Sequence, residues 1–110
     1  MKLPNADRAI IATEKLIGYC LNPEHSKGKH KARVFQSVLG ISRENVDDLY
    51  DLIQQAALSG EVVQQRSTPF GQEFKVDWTV PGFDRVQLRT IWIIALESTA
   101  PQLVSAFIKS

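Results

Sequence analysis

The chain has 110 residues, of which 44% are hydrophobic and 23% charged, and its formal net charge is +1. These values exclude a disordered polypeptide and predict one domain, residues 1–110, with a single core. The sequence contains neither an apolar run of 18 residues nor a basic start followed by an apolar stretch, so it predicts no membrane span, no signal peptide and a cytoplasmic location. The lone Cys20 excludes an internal disulfide, and its apolar surroundings favour a buried, unreactive thiol.

The first half of the chain has the periodicity of helices. A first helix is predicted to begin with Thr13 as its N-cap and to end at the Asn-Pro dipeptide that follows "TEKLIGYCL". A second is predicted for residues 28–39, with Gly40 as its C-cap. A third begins at Ser42 as N-cap and ends at Gly60, and its acidic residues mark a solvated face.

One short segment of this helical half, residues 25–33, holds a concentration of cationic side chains. We call it the basic segment; with no acid it carries +4, so the remaining chain carries 1 − 4 = −3. Its cations are Lys27, Lys29, Lys31 and Arg33, and it also holds both histidines of the chain, His25 and His30. A local excess of this kind predicts contact with phosphates or with an acidic partner.

On a helical wheel the second helix has a core stripe, formed by Ala32, Phe35, Val38 and Leu39. Lys31 falls inside this stripe, His30 lies on its flank and Arg33 points nearly opposite. The Lys31 ammonium is expected either to extend to solvent past the helix end or to be held near the sheet as a fixed cation that suits a phosphate. The sequence leaves both alternatives open.

Beyond Gly60 the period changes to two and predicts four strands, at residues 61–67, 72–80, 86–96 and 102–108. The short connections between them favour antiparallel pairing. Helices followed by strands indicate an α+β fold, with the N-terminal helices packed on one face of a four-stranded antiparallel sheet.

Alternation along the second and third strands separates two faces of this sheet. Trp78, Thr90 and Trp92 belong to a mainly apolar face, which is predicted to be the core face. The opposite face begins polar, with Lys75, Asp77, Thr79, Gln87 and Arg89, and becomes apolar at Ile91 and Ile93. A solvated sheet face and a ligand-binding floor both explain this pattern.

The two histidines allow three interpretations: metal ligands, plain surface residues, or acid–base groups. Two histidines and one cysteine are a small donor set, so we predict neither a metal ion nor another cofactor. A histidine among cations and without a metal suits RNA cleavage, because the 2′-OH of the substrate is the nucleophile and the protein moves protons and stabilises the phosphorane.

The stretches "NPEHSKGKHKARVF", "RTIW" and "PQLVSAFI" resemble an uncharacterised family of small bacterial proteins whose pattern includes NP.H..G.HKARVF and TAWI. Sequences of this kind also resemble the toxin domains of the barnase–EndoU–colicin–RelE (BECR) superfamily. That resemblance implies helices followed by a four-stranded sheet and metal-independent ribonuclease activity. It points to five catalytic residues: His30, Lys31, Arg89, Thr90 and Ser105. Since alternation places Arg89 and Thr90 on opposite faces, we favour Arg89 in the site and Thr90 behind it or in the core.

The sequence therefore predicts a metal-independent ribonuclease toxin, with tRNA as one candidate target and a cognate antitoxin or immunity protein as partner. The residues expected to bind RNA are His25, Lys27, Lys29, Arg33 and Lys75. A non-catalytic module that binds nucleic acid or protein through the basic segment is the main alternative, since basic clusters commonly bind phosphates without chemistry. A structural partner of an acidic protein is a third.

Overall fold

The structure, a computed structural model, describes residues 1–109. Three helices precede four strands, which confirms the predicted fold class. Helix α1 joins α-helical Thr13–Lys15 to π-helical Leu16–Cys20, helix α2 joins α-helical Lys29–Val34 to π-helical Phe35–Leu39, and helix α3 is Val46–Ser59. Short 3-10 turns lie at Ala6–Arg8 and Arg43–Asn45. The strands are β1 (Glu61–Thr68), β2 (Gly71–Thr79), β3 (Gln87–Ala95) and β4 (Gln102–Lys109).

The strands form one antiparallel sheet in the order β1-β2-β3-β4. The register pairs Arg89 of β3 with Asp77 of β2 on one side and with Phe107 of β4 on the other. Ile91 pairs with Ser105, and the register then shifts so that Val104 has no partner on β3. This pairing places Arg89, Ile91, Ser105 and Phe107 on one face of the sheet, which we call the open face.

The opposite face of the sheet is covered by α3, which contacts β2 and β3. Trp92 is fully buried there, and Trp78 is partly buried against the same core. The predicted assignment of both indoles to the core face is therefore confirmed. Residues of α1 and α2, Cys20 and Phe35 among them, belong to the same buried cluster, so the chain has one core.

The helix ends are set by local hydrogen bonds and backbone geometry. Ser42 and Asn45 form a reciprocal capping box at the start of the 3-10 turn that leads into α3. Gly40 ends α2 with a φ of 68°, a left-handed conformation that favours glycine. The prediction of Thr13 as the N-cap of α1 is wrong, because Thr13 is already the first helical residue and the cap position before it is Ala12.

One predicted core position is wrong. Val38 of α2 is 38% exposed, whereas the wheel placed it in the core stripe with Phe35. The second half of α2 is a π-helix, whose wider turn changes the angle between successive side chains. The stripe assumed a constant 100° per residue and therefore misplaced Val38, whereas Leu39 is partly buried against the core as predicted.

Helices α1 and α2 both contact β4 at the edge of the sheet. The backbone of Ile10 pairs with this edge, accepting a hydrogen bond from Leu103 N at 2.9 Å and donating one to Pro101 O at 2.8 Å. The Lys15 ammonium donates to the carbonyl of Val104 at 3.2 Å. These hydrogen bonds hold α1 and the segment before it against the β4 edge of the sheet. No helix in the described part of the chain has the length and apolar character needed to cross a bilayer.

Candidate functional site

The Lys31 ammonium is held beside the open face of the sheet. Its Nζ donates a hydrogen bond to the Tyr19 hydroxyl at 2.9 Å and lies 3.5 Å from Ser105 Oγ. It also lies 4.6 Å from the ring centroid of Phe107 and 5.1 Å from that of Tyr19, distances typical of cation–π contacts. We call Tyr19, Lys31, Ser105 and Phe107 the Lys31 cluster. Of the two positions predicted for this ammonium, the structure shows the one near the sheet.

Close packing between α1 and the start of α2 brings Tyr19 to Lys31. A Cβ on Gly28 would lie 2.5 Å from the carbonyl oxygen of Tyr19 and 3.0 Å from its ring. Glycine at this position therefore allows the two backbones to approach. The His25 ring packs edge-on against Tyr19, with centroids 4.9 Å apart.

His25 organises the loop that leads into α2. Its Nδ1 accepts hydrogen bonds from the backbone N–H groups of Lys27 and Gly28, each at 3.0 Å. Because this lone pair is occupied, the proton of the neutral ring is on Nε2. The Nδ1 atom has a structural role.

Arg89 is held by a two-pronged ion pair on the open face. Its Nε and Nη2 donate to the Asp77 carboxylate at 2.7 and 2.9 Å, and the two side chains are only 21% and 12% exposed. The guanidinium lowers the pKa of Asp77 below its ordinary value, and the carboxylate raises the pKa of Arg89. A guanidinium has five N–H groups, so three remain for another ligand. Arg89 also pairs across the strands with Phe107 and therefore borders the Lys31 cluster.

The structure separates Thr90 from these residues. Thr90 is fully buried on the helix-covered face, where its Oγ1 accepts a hydrogen bond from Trp92 Nε1 at 2.7 Å. A ligand on the open face cannot reach it, and we leave it out of the candidate site.

The remaining predicted residues are not part of the Lys31 cluster. Lys75 is partly buried on the open face, opposite Ile91. His30 is exposed on α2, and its side chain makes no hydrogen bond within the described residues. Lys27 and Arg33 are also exposed, and Lys29 is partly buried. The sequence-predicted residues that meet are thus Lys31 and Ser105, with Arg89 beside them.

Sequence reasoning missed Tyr19 and Phe107. The hydrogen bond from Lys31 is the main cause that lowers the pKa of Tyr19 below its ordinary value. Alternation could have placed Phe107 on the same face as Arg89, but a contact between α1 and α2 leaves no periodic signal for Tyr19. Within the described residues, no group of three His, Cys, Asp or Glu side chains is arranged to hold a metal ion.

Three comparisons with known proteins bear on this site. The fold is similar to a chain of the solved "Contact-dependent growth inhibition toxin - immunity protein complex from Klebsiella pneumoniae 342", with a TM-score of 0.70 over 96% of this chain and 97% of that chain. The two sequences are 10% identical, so this likeness concerns the fold alone. No curated protein matches the sequence. The profile of the domain of unknown function DUF6883 matches residues 2–110, and the chain therefore belongs to the DUF6883 family.

Proposed function

We propose that this domain is a toxin that cleaves RNA without a metal ion, with the RNA bound across the open face. The observation that carries the proposal is the fixed ammonium of Lys31, which lies 2.9 Å from a phenol oxygen and beside the sheltered guanidinium of Arg89. We place the substrate phosphate where it contacts both cations, since Arg89 pairs across the strands with Phe107 and the Lys31 ammonium lies over the Phe107 ring. Preorganised donors of this kind stabilise the charge of a phosphorane.

The charges of the open face favour a polyanion even though the whole chain is nearly neutral. Lys31, Lys75, Arg89 and Lys109 lie on or beside this face. Its carboxylates include Asp77, which is paired with Arg89 and Lys109, and Glu61, which is paired with Lys2. Glu73, on the same face, is already paired with Arg66. Convergence of cations on one face concentrates phosphate ligands there.

In the proposed reaction the 2′-OH of the substrate attacks the adjacent phosphorus, and the 5′-oxygen leaves. Lys31 and Arg89 bind the phosphoryl oxygens, and Ser105 helps to position the ammonium. His30, exposed one residue before Lys31, exchanges a proton with one of the reacting oxygens. The chemistry needs neither an activated water nor a cofactor.

The toxin part of the proposal is supported by fold similarity to a chain of a toxin–immunity protein complex. The BECR resemblance of the sequence agrees with this. A nuclease that attacks cellular RNA must be neutralised in the cell that makes it, so we include a cognate antitoxin or immunity protein as partner. Its target RNA lies in the cytoplasm.

Substitution in α2 tests the proposal directly. His30→Ala is expected to reduce cleavage about 10²- to 10⁴-fold, the usual worth of one general acid or base, with folding and RNA affinity little changed. Gln36→Ala is the matched control, because Gln36 is also exposed on α2, carries no charge and has no proposed role in binding or reaction. Wild-type activity should survive EDTA and leave 2′,3′-cyclic phosphate ends.

A non-catalytic RNA-binding module is the second candidate, favoured by the exposed His30 side chain, which makes no hydrogen bond to the described residues. In that case the exposed cations of the basic segment would bind phosphates without chemistry. Wild-type protein that binds total RNA and tRNA but leaves both intact from pH 6 to 8 would establish the binding module and overturn the ribonuclease.

A further inference from the structure

We infer that Tyr19 is the catalytic base that takes the proton from the attacking 2′-OH, an inference that rests on the proposed ribonuclease function. Its hydroxyl is part of the Lys31 cluster, 2.9 Å from the ammonium that would bind the phosphoryl group. A substrate phosphate on Lys31 would therefore bring the neighbouring 2′-OH to this oxygen. Neither of the two histidines has this position.

The surroundings of the Tyr19 hydroxyl favour its ionised form. Lys31 faces it from α2, and Ser105 faces it from β4 as a second hydrogen-bonding group. These contacts lower the pKa of Tyr19, although burial acts in the opposite direction. His25 packs against the ring edge, and burial raises the pKa of the neighbouring Cys20 thiol, so that thiol stays neutral. A phenol beside a fixed ammonium has the environment of an acid–base group.

The alternative bases are less well placed. The His25 Nδ1 atom is occupied by two backbone N–H groups and cannot accept a proton without losing them. The His30 ring is exposed and has no group in the described structure that fixes its orientation. Tyr19 is held by the ammonium, by the close approach of Gly28 and by the His25 ring.

The proposed step balances as a transphosphorylation. The Tyr19 phenolate accepts the 2′-OH proton as the 2′-oxygen forms a bond to phosphorus. The bond from phosphorus to the 5′-oxygen breaks, its electron pair stays on that oxygen, and the protonated His30 ring supplies the proton that makes a 5′-hydroxyl. Exchange with water then returns the phenol to phenolate and the imidazole to its cation. The products are a 2′,3′-cyclic phosphate and a 5′-hydroxyl end.

Tyr19→Phe tests the inference, because it removes one oxygen and keeps the ring that packs against Gly28 and His25. We expect kcat to fall about 10²- to 10⁴-fold with KM nearly unchanged, since Lys31 and Arg89 still bind the phosphate. The limb of the pH–rate profile that reports the base should disappear. Tyr50→Phe, which removes the other tyrosine of the chain, is the control and should keep full activity.

A second measurement does not depend on activity. In Tyr50→Phe protein the one remaining tyrosine is Tyr19, so absorbance near 295 nm follows its ionisation. We expect a midpoint below the usual value of about 10, and a higher midpoint when Lys31→Met is added. If Tyr19 ionises with a midpoint of about 10 and Lys31→Met does not change that midpoint, the inference is overturned, even if Tyr19→Phe protein fails to fold.

The outcomes also separate the inference from the function on which it rests. Wild-type cleavage of RNA together with full activity of Tyr19→Phe would remove Tyr19 from the mechanism and leave the ribonuclease standing. A wild-type protein that does not cleave RNA would overturn both. A large loss of kcat in Tyr19→Phe, together with a lowered midpoint for Tyr19 ionisation, would establish Tyr19 as the catalytic base.

Discussion

The two faces of strand β3 differ in whether their polar groups still have hydrogen-bonding capacity for a ligand. On the helix-covered face the Thr90 hydroxyl and the Trp92 indole satisfy each other at 2.7 Å, and both side chains are fully buried. On the open face Arg89 is fixed by Asp77 and still has three N–H groups to offer. Among the described residues, no buried side-chain nitrogen or oxygen lacks a hydrogen-bond partner. One face is closed and contributes stability, whereas the other retains the capacity to bind.

The largest effect is expected on the closed face. Trp92→Ala should lower the free energy of unfolding by about 3 to 5 kcal/mol, because it leaves a large cavity against α3 and removes the partner of Thr90. Urea denaturation measures this change. Phe83→Ala is the control, since Phe83 is 44% exposed in the turn before β3 and should cost far less. Equal losses in the two variants would mean that Trp92 does not anchor the core.

Removing the ion pair of the open face should have a smaller effect. Asp77→Asn is expected to cost about 1.5 to 3 kcal/mol at pH 7, since it breaks the sheltered, two-pronged pair with Arg89 and also the contact with Lys109 at 3.5 Å. Glu73→Gln is the matched control on the same strand and face. Its partner Arg66 has a side chain that is 61% exposed, and such pairs contribute at most about 1 kcal/mol.

The pH dependence of this difference has a definite sign. The pKa of Asp77 is lower in the folded protein than in the unfolded chain, where it is about 3.9. The ion pair therefore contributes its full stabilisation above the unfolded pKa. That stabilisation is lost as the pH falls from the unfolded pKa through the folded pKa. The gap in unfolding free energy between wild type and Asp77→Asn should therefore be constant near neutrality and shrink in acid. A gap that stays constant down to pH 2 would exclude this ion pair as its source.

Most of the fold could be predicted from the sequence because its signals are local. Alternating hydrophobicity located each strand to within one or two residues, and Gly40 and Ser42 marked helix boundaries through conformations that those residue types favour. The failure at Val38 is local as well. A π-helical turn has no signature in a pattern that is read at 100° per residue.

The candidate site could be predicted only in part, because contacts distant in sequence create it. Lys31 stood out as a cation inside an apolar stripe, and Arg89 as a polar residue on a strand. Tyr19 and Ser105 lie 12 and 74 residues away from Lys31, and periodicity cannot show that α1, α2 and β4 converge at this ammonium. The hydrogen bond from Lys31 gives Tyr19 its unusual chemistry, so the sequence offered no sign of it.

The smallest expected effect tests how far the binding surface extends beyond the open face. Lys27 and Lys29 lie in the loop and first turn that lead to Lys31, so an RNA strand leaving the Lys31 cluster along α2 would pass them. Replacing both with Gln should weaken affinity only a few-fold at physiological salt. It should flatten the dependence of log K on log salt concentration by about 0.7 for each lost phosphate contact.

Binding of a 2′-O-methyl RNA measures this salt dependence without cleavage, because that strand has no 2′-OH to attack. Lys2→Gln is the control, since Lys2 is paired with Glu61 at the β1 edge of the sheet, opposite the β4 edge. An unchanged slope in the double variant would confine the RNA to the open face and leave the basic segment outside the interface.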